Sequence, residues 1–310
     1  MNENHNIKVR FVPGLTNRLE FGQMFGGFLT QYGDKNILVD CGTVTGARNL
    51  VRGLLDRLGE KPLDYVFLTH IHVDHSGGLA EIFRTWPDCQ AVVQAQAMNH
   101  LINPEKLWLG TVKVMGELAP MYGQPQSLEP GRLIPHTEFS LPGLTIIETP
   151  GHAAHHLSYL LKDIIFAGEA AGCPYHLNNR LYSRPATPPR YYPEPTFASL
   201  ALLEKQPAEW GYFGHTQEEC RLSETASNCR EQLKFWDEFL FSRWQEEASK
   251  TDEQELIVSL TDRLFEEDPH LRPILSLGPL KTKVEKYFMQ NSVAGFLGFY
   301  AERERKVSRK

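Results

Sequence analysis

The chain has 310 residues, 32 Lys+Arg against 38 Asp+Glu for a formal net charge of −6, and 41% hydrophobic residues. That length suits one large domain with an appendage or two ordinary domains, and it buries a core without disulfide or metal staples. The 23% charged fraction and the 17 Phe, 11 Tyr and 5 Trp exclude a disordered chain, and the acidic balance argues against nucleic acid as a partner.

No window approaches the ~18–20 apolar residues of a membrane span, and the opening MNENHNIKVR carries no apolar signal-like stretch. The five cysteines form no C-x-x-C pair. Reduced thiols and a cytoplasmic location are expected, with no membrane partner. The dense basic run Arg303, Arg305, Lys306, Arg309 and Lys310 reads as a solvated tail.

Along the chain, Phe25–Gln31 and Asn36–Asp40 read as strands joined by the turn Tyr32-Gly33-Asp34-Lys35. Thr45–Leu58 reads as a helix with Leu50, Leu54, Leu55 and Leu58 on one face and Gly59 as its stop. Asp64–Thr69 reads as a buried strand, Ser76 as the N-cap of a helix through Phe83, and Ala91–Gln94 as another strand. Residues 103–143 give no clear pattern. Leu144–Thr149, Leu157–Leu161 and Ile164–Ala167 are strand-like, and Arg184–Pro195 is an extended proline-rich loop. A helix from Thr196 and a strand at Trp210–Phe213 lead to His215. Residues 217 to about 305 show helical periodicity, with Gly295 and Gly298 weakening the last stripe. The expected organisation is a body over 1–216 and a helical extension over 217–310.

The chemistry concentrates in Thr69–Gly78, T-H-I-H-V-D-H-S-G-G. His70 and His72 repeat at strand spacing, so both face one way if the strand continues, and the turn after them aims Asp74 and His75 at a neighbouring point. An H-x-H-x-D-H string arises by chance about once in a thousand chains of this length. Two imidazoles on one cation and a carboxylate–imidazole pair on a second is a two-metal pattern.

These residues, with Val39-Asp40-Cys41-Gly42, Thr149-Pro150-Gly151-His152, Phe166-Ala167-Gly168-Glu169 and Gly214-His215, resemble the metallo-β-lactamase-fold hydrolases, the family of glyoxalase II and quorum-quenching lactonases. The resemblance covers about residues 7–216. It implies an α/β fold, a four-layer αββα sandwich with a helical C-terminal extension. It also implies two divalent metal ions, zinc first and iron or manganese as alternatives. Carried over by position, His70, His72 and His152 hold one ion, Asp74, His75 and His215 hold the other, and Glu169 stands where the family has a bridging aspartate. Asp40 resembles the carboxylate that orients a metal-bound histidine.

The implied activity is metal-dependent hydrolysis of an ester, lactone or thioester of a small molecule by a metal-bound hydroxide, with Asp74 or a metal-bound water protonating the leaving group. Tyr175, Tyr191 and Tyr192 are candidates for an oxyanion contact, and His176 for a pocket residue, by neighbourhood alone. Tyr287, Phe288, Phe296 and Phe299 read as core, as a homodimer interface, or as apolar contacts to an acyl chain. The alternatives are a mononuclear iron dioxygenase of the same fold and a low-turnover metal-binding signalling protein.

Overall fold

In the computed structural model, strands and helices alternate from Val9 to Arg221 and helices alone follow. The structure describes residues 7–14, 25–177, 180–189 and 191–308, without the side chains of 275, 277, 280 and 281. Arg309 and Lys310 of the basic run lie outside the described residues.

The elements begin with β1 (Val9–Pro13), β2 (Gly26–Tyr32), β3 (Lys35–Val39), α1 (Ala47–Leu58), β4 (Tyr65–Phe67), α2 (Val73–Ser76), α3 (Leu79–Thr85) and β5 (Gln90–Val93). Then come α4 (Met98–Ile102), α5 (Glu105–Met115), α6 (Ala119–Tyr122), β6 (Leu133–Pro135), β7 (Leu144–Glu148), β8 (Leu157–Leu161) and β9 (Ile164–Gly168). The remainder is β10 (Cys173–Leu177), β11 (Arg180–Arg184), α7 (Pro193–Leu203), β12 (Trp210–Phe213), β13 (Glu219–Arg221), α8 (Leu222–Glu247), α9 (Glu253–Glu267) and α10 (Pro279–Val307).

The chain forms two compact units. The first takes its residues from Met1–Glu148, His155–Gly168 and Pro207–Glu219, the second from Thr149–Ala154, Glu169–Gln206 and Cys220–Lys310.

In the first unit, β1 to β6 form one sheet in chain order, with β1–β2–β3 antiparallel and β3 to β6 parallel. A second sheet runs β12–β9–β8–β7, with β13 at its edge. Side chains alternate between sheet faces. Ile37, Val39, Phe67 and Val92 of the first sheet therefore meet Tyr159, Leu161 and Phe166 of the second in one buried layer. Leu38, Val66, Ala91 and Val93 face the other way, against Leu50, Leu54 and Leu58 of α1 and Leu79 and Ile82 of α3. Leu54 is fully buried, and trimming such a leucine to alanine costs about 2–5 kcal/mol. Gly59, at φ 60°, ends α1 in a conformation that glycine adopts without strain.

In the second unit, β10 and β11 pair antiparallel from Cys173↔Arg184 to Leu177↔Arg180. Fully buried Asp268 accepts from Gln232 Nε2, Trp236 Nε1 and the His270 backbone amide, which ties α8 to the end of α9. Tyr300 of α10 donates to Asp237 Oδ1 of α8 at 2.7 Å.

Several sequence expectations change. The strand expected over Asp64–Thr69 ends at Phe67, so His70 and His72 sit on a loop and strand alternation does not set their direction. Ser76 ends α2 rather than capping α3; its hydroxyl donates back to the Ile71 and His72 carbonyls. Pro193 and Pro195 open α7, which therefore starts three residues before Thr196. Residues 103–143 carry α5, α6 and β6. Among the described residues, no helix is long and apolar enough to cross a membrane.

Candidate metal centre

Asp40 organises the cluster of candidate ligands in the first unit. It follows β3 at φ 59°, a left-handed conformation that Asp tolerates better than most residues, and its backbone amide donates to the Phe67 carbonyl at 2.9 Å. Gly27 packs against the Asp40 carbonyl where a Cβ would clash. The buried carboxylate accepts from the Thr69 amide at 2.8 Å, the Thr69 hydroxyl at 2.8 Å and His75 Nδ1 at 2.8 Å. The Thr69 hydroxyl hydrogen is committed to Asp40, so its oxygen accepts from His70 Nδ1 at 3.0 Å.

The single turn of α2 then clusters the motif. His70 and His72 ring centroids are 4.6 Å apart, and His70 and His75 are 4.1 Å apart. His215 stands at φ 62° after β12, where the Gly214 amide donates to the Gly168 carbonyl at 2.7 Å. Ligand atoms of Asp74, His75 and His215 all lie within 4.8 Å of one another, with His215 Nε2 3.6 Å from Asp74 Oδ2.

The second unit pairs His152 with Glu169. The turn carrying His152 is pinned by α7, where Ser199 Oγ donates to the Pro150 carbonyl at 2.6 Å and Thr196 packs on Gly151. His152 Nδ1 donates to the Ala186 carbonyl at 2.9 Å. Its Nε2 faces Glu169 Oε2 at 3.1 Å, while Glu169 Oε1 accepts from Cys173 Sγ at 3.2 Å. The carboxylate is thus divided between two neighbours.

One pattern unites these histidines. His70, His75 and His152 each set Nδ1 against an oxygen, at 3.0, 2.8 and 2.9 Å, and the tautomer that donates there has its lone pair on Nε2. Such imidazoles are metal donors with fixed orientation. A lone pair facing a carboxylate oxygen at 3.1 Å needs a proton or a cation to bring the two acceptors together. The residues present therefore fit a divalent metal ion, and an imidazole–carboxylate set suits zinc, iron or manganese.

Four residues to which the sequence assigns no ligand role make contacts with the candidate ligands or their backbone. Cys173 donates to Glu169; the signal was a cysteine four residues after that carboxylate. Cys41 donates to the His75 carbonyl at 3.2 Å. Burial pushes both thiols well above the ordinary range, with Asp40 adding to the effect at Cys41. His156 is buried and stacks on His70 at 5.2 Å, and His155 lies 6.0 Å from His72. Their placement three and four residues after His152 was the signal.

The remaining candidates have these surroundings. Tyr191 is buried against Phe296 and Tyr192 is exposed. Tyr175 packs on Tyr182 at 4.6 Å, and His176 is exposed. Phe296 is fully buried among Tyr191, Trp236 and Tyr300, which makes it core and overturns an acyl-chain contact for that residue.

The sequence profile of the Metallo-beta-lactamase superfamily matches residues 27–215, and the chain belongs to that superfamily. A metallo-beta-lactamase fold-containing protein of Sulfurisphaera tokodaii is 35% identical over 136 residues, covering 41% of this chain and 50% of the relative. A hydroxyacylglutathione hydrolase of Shewanella loihica is 26% identical over 174 residues, 55% of each chain. The chain thus matches about half the length of these relatives. The solved structure of an archaeal superfamily member from Sulfolobus tokodaii superposes with a TM-score of 0.65 at 19% identity, covering 93% of this chain and 97% of that one. That likeness is one of fold: the α/β metallo-β-lactamase architecture with two mixed sheets and C-terminal helices.

Proposed function

We propose that the chain is a binuclear metal-dependent hydrolase acting on the carbonyl of a small-molecule ester, lactone or thioester. His70, His72 and His152 would hold one divalent ion, Asp74, His75 and His215 the other, and Glu169 would bridge them. The observation that carries the reading is the common placement of His70, His75 and His152, each with Nδ1 within 3.0 Å of an oxygen acceptor, which turns Nε2 into the position of a metal donor. The family membership supports the joining of both groups of residues into one centre, because the matched span 27–215 contains all seven.

When bound, such a pair of ions would lower the pKa of a water toward ~7 and polarise the substrate carbonyl. The chain's own work is positional and acid–base. Asp40 holds His75 and Thr69, Thr69 holds His70, and Ala186 holds His152, which keeps the donors from rotating away. Asp74 would take the proton given up by the attacking water and pass it to the leaving oxygen or sulfur. Residues 1–216 supply the catalytic groups and 217–310 the extension that shapes the site. The name of the Shewanella relative favours a thioester within this class. Zinc is the first candidate metal and the cytoplasm the expected location.

The test is metal analysis of the purified chain followed by a panel of ester, lactone and thioester substrates. Two ions per chain and hydrolysis abolished in His70→Ala are expected. Full turnover after exhaustive chelation, or no bound metal under any loading condition, would overturn the reading.

A further inference from the structure

Helix α10 reaches the His152–Glu169 pair from two directions. On one side it grips the loop that carries Ala186. Ser292 Oγ donates to the Pro185 carbonyl at 2.8 Å, and Thr187 Oγ1 donates back to the Ser292 carbonyl at 3.1 Å. Gly295 lets the helix backbone lie directly on this loop, since a Cβ there would fall inside contact distance of the Pro188 carbonyl. Between those anchors, Ala186 presents the oxygen that receives His152 Nδ1.

On the other side, Glu285 Oε2 accepts from Arg184 Nε at 3.0 Å and from the Tyr182 hydroxyl at 2.7 Å, all three groups being buried. Arg184 ends β11 opposite Cys173 in register. Cys173 donates to Glu169, and the Gly172 amide donates to the Glu169 carbonyl at 3.1 Å. His152 is thus joined to this helix through the Ala186 loop, and Glu169 through Cys173 and Arg184.

We infer that α10 is a positioning element for the metal, with Ser292 and Gly295 setting His152 through the Ala186 carbonyl and Glu285 setting Glu169 through the β10–β11 hairpin. The inference rests on the reading of His152 and Glu169 as ligands. It gives the helical extension a role in holding the metal. A loop carbonyl displaced from Nδ1 frees the ring to turn, and loss of such an outer partner weakens metal binding about 10–100-fold.

The experiment measures the dissociation constant for Zn²⁺ by chelator competition on the full-length chain, together with the thermal midpoint. Ser292→Ala and Gly295→Ala are compared with Leu260→Ala, which opens a cavity in α9. Ser292→Ala and Gly295→Ala should each weaken the tighter-bound ion about tenfold or more. Ser292→Thr, which keeps the hydroxyl, should restore affinity, and Leu260→Ala should lower the midpoint with affinity unchanged. Should Gly295→Ala fail to fold, Ser292→Ala still decides. Wild-type affinity in Ser292→Ala, or an equal loss in Leu260→Ala, would reduce α10 to a stabiliser and overturn the inference. His152→Ala separates the two levels: if it leaves Zn²⁺ affinity unchanged, the ligand assignment itself falls and the inference with it.

Discussion

Asp40 Oδ2 lies 2.8 Å from His75 Nδ1 and 2.8 Å from the Thr69 hydroxyl, so one carboxylate orients two histidines, His75 directly and His70 through Thr69. Because Asp40 is left-handed, Asp40→Asn is the gentle probe and Asp40→Ala the harsh one. Asp40→Asn should keep the fold and weaken metal binding about 10–100-fold, since its NH₂ or oxygen can satisfy only part of the donor set. Asp40→Ala should lose a further ~1–2 kcal/mol of stability in urea titrations. Unchanged metal affinity in Asp40→Asn would remove the carboxylate from the site.

Gly168 stands at φ 51°, and a Cβ there would sit 2.5 Å from His156 Nε2 and 2.8 Å from the Thr69 Cβ. Gly168→Ala combines a left-handed alanine with overpacking, for a total of about 2–5 kcal/mol. Chemical denaturation should register that loss, and activity should fall in the surviving folded fraction because His156 and Thr69 both touch His70.

Glu169 is longer than the aspartate that the resemblance places there; its Oε1 accepts from Cys173 while its Oε2 faces His152 Nε2 at 3.1 Å. Restoring the shorter side chain should therefore harm this chain. Glu169→Asp should lower metal occupancy relative to wild type, measured by elemental analysis after dialysis. A gain in occupancy would mean that the Cys173 contact has no bearing on the carboxylate.

Burial pushes the Cys89 and Cys229 thiols up to about 12 from 9.0, with Arg132 opposing the rise at Cys89. The folded state holds these protons while the unfolded chain releases them, so their stabilising contribution is complete below about pH 9 and declines as pH rises toward 12. Thermal midpoints should fall over that interval, and a Cys89→Ala/Cys229→Ala double variant should show a shallower decline. All five thiols should resist alkylation at pH 8 until the chain is denatured, since all five are buried.

The sequence made some of this architecture readable and concealed the rest for physical reasons. Leu157–Leu161 and Trp210–Phe213 are compact apolar runs, and they are strands with those bounds. The β10–β11 hairpin was unreadable because Cys-Pro-Tyr-His-Leu and Arg-Leu-Tyr-Ser-Arg mix charge with aromatic groups; Glu285, about a hundred residues away, is what makes burying Arg184 tolerable. Gly295 looks like a defect in a helix, yet it is where the helix meets a loop. The motif histidines were legible because they are nearly contiguous or sit in short recognisable turns. Their hydrogen-bonded partners were not: Thr69 and Asp40 lie 29 residues apart, and His152 and Ala186 lie 34 apart, so only folding brings them together.

The path of the backbone has a practical consequence for recombination. It leaves the first unit for the second after Glu148, again after Gly168, and finally after Glu219, with returns at His155 and Pro207. A cut-and-paste exchange of the last ninety or so residues between homologues would therefore transplant only a fragment of the second unit, separated from Thr149–Ala154 and Glu169–Gln206, with which it forms one body. Chimaeras that move those three stretches as a set should fold where simple tail swaps fail.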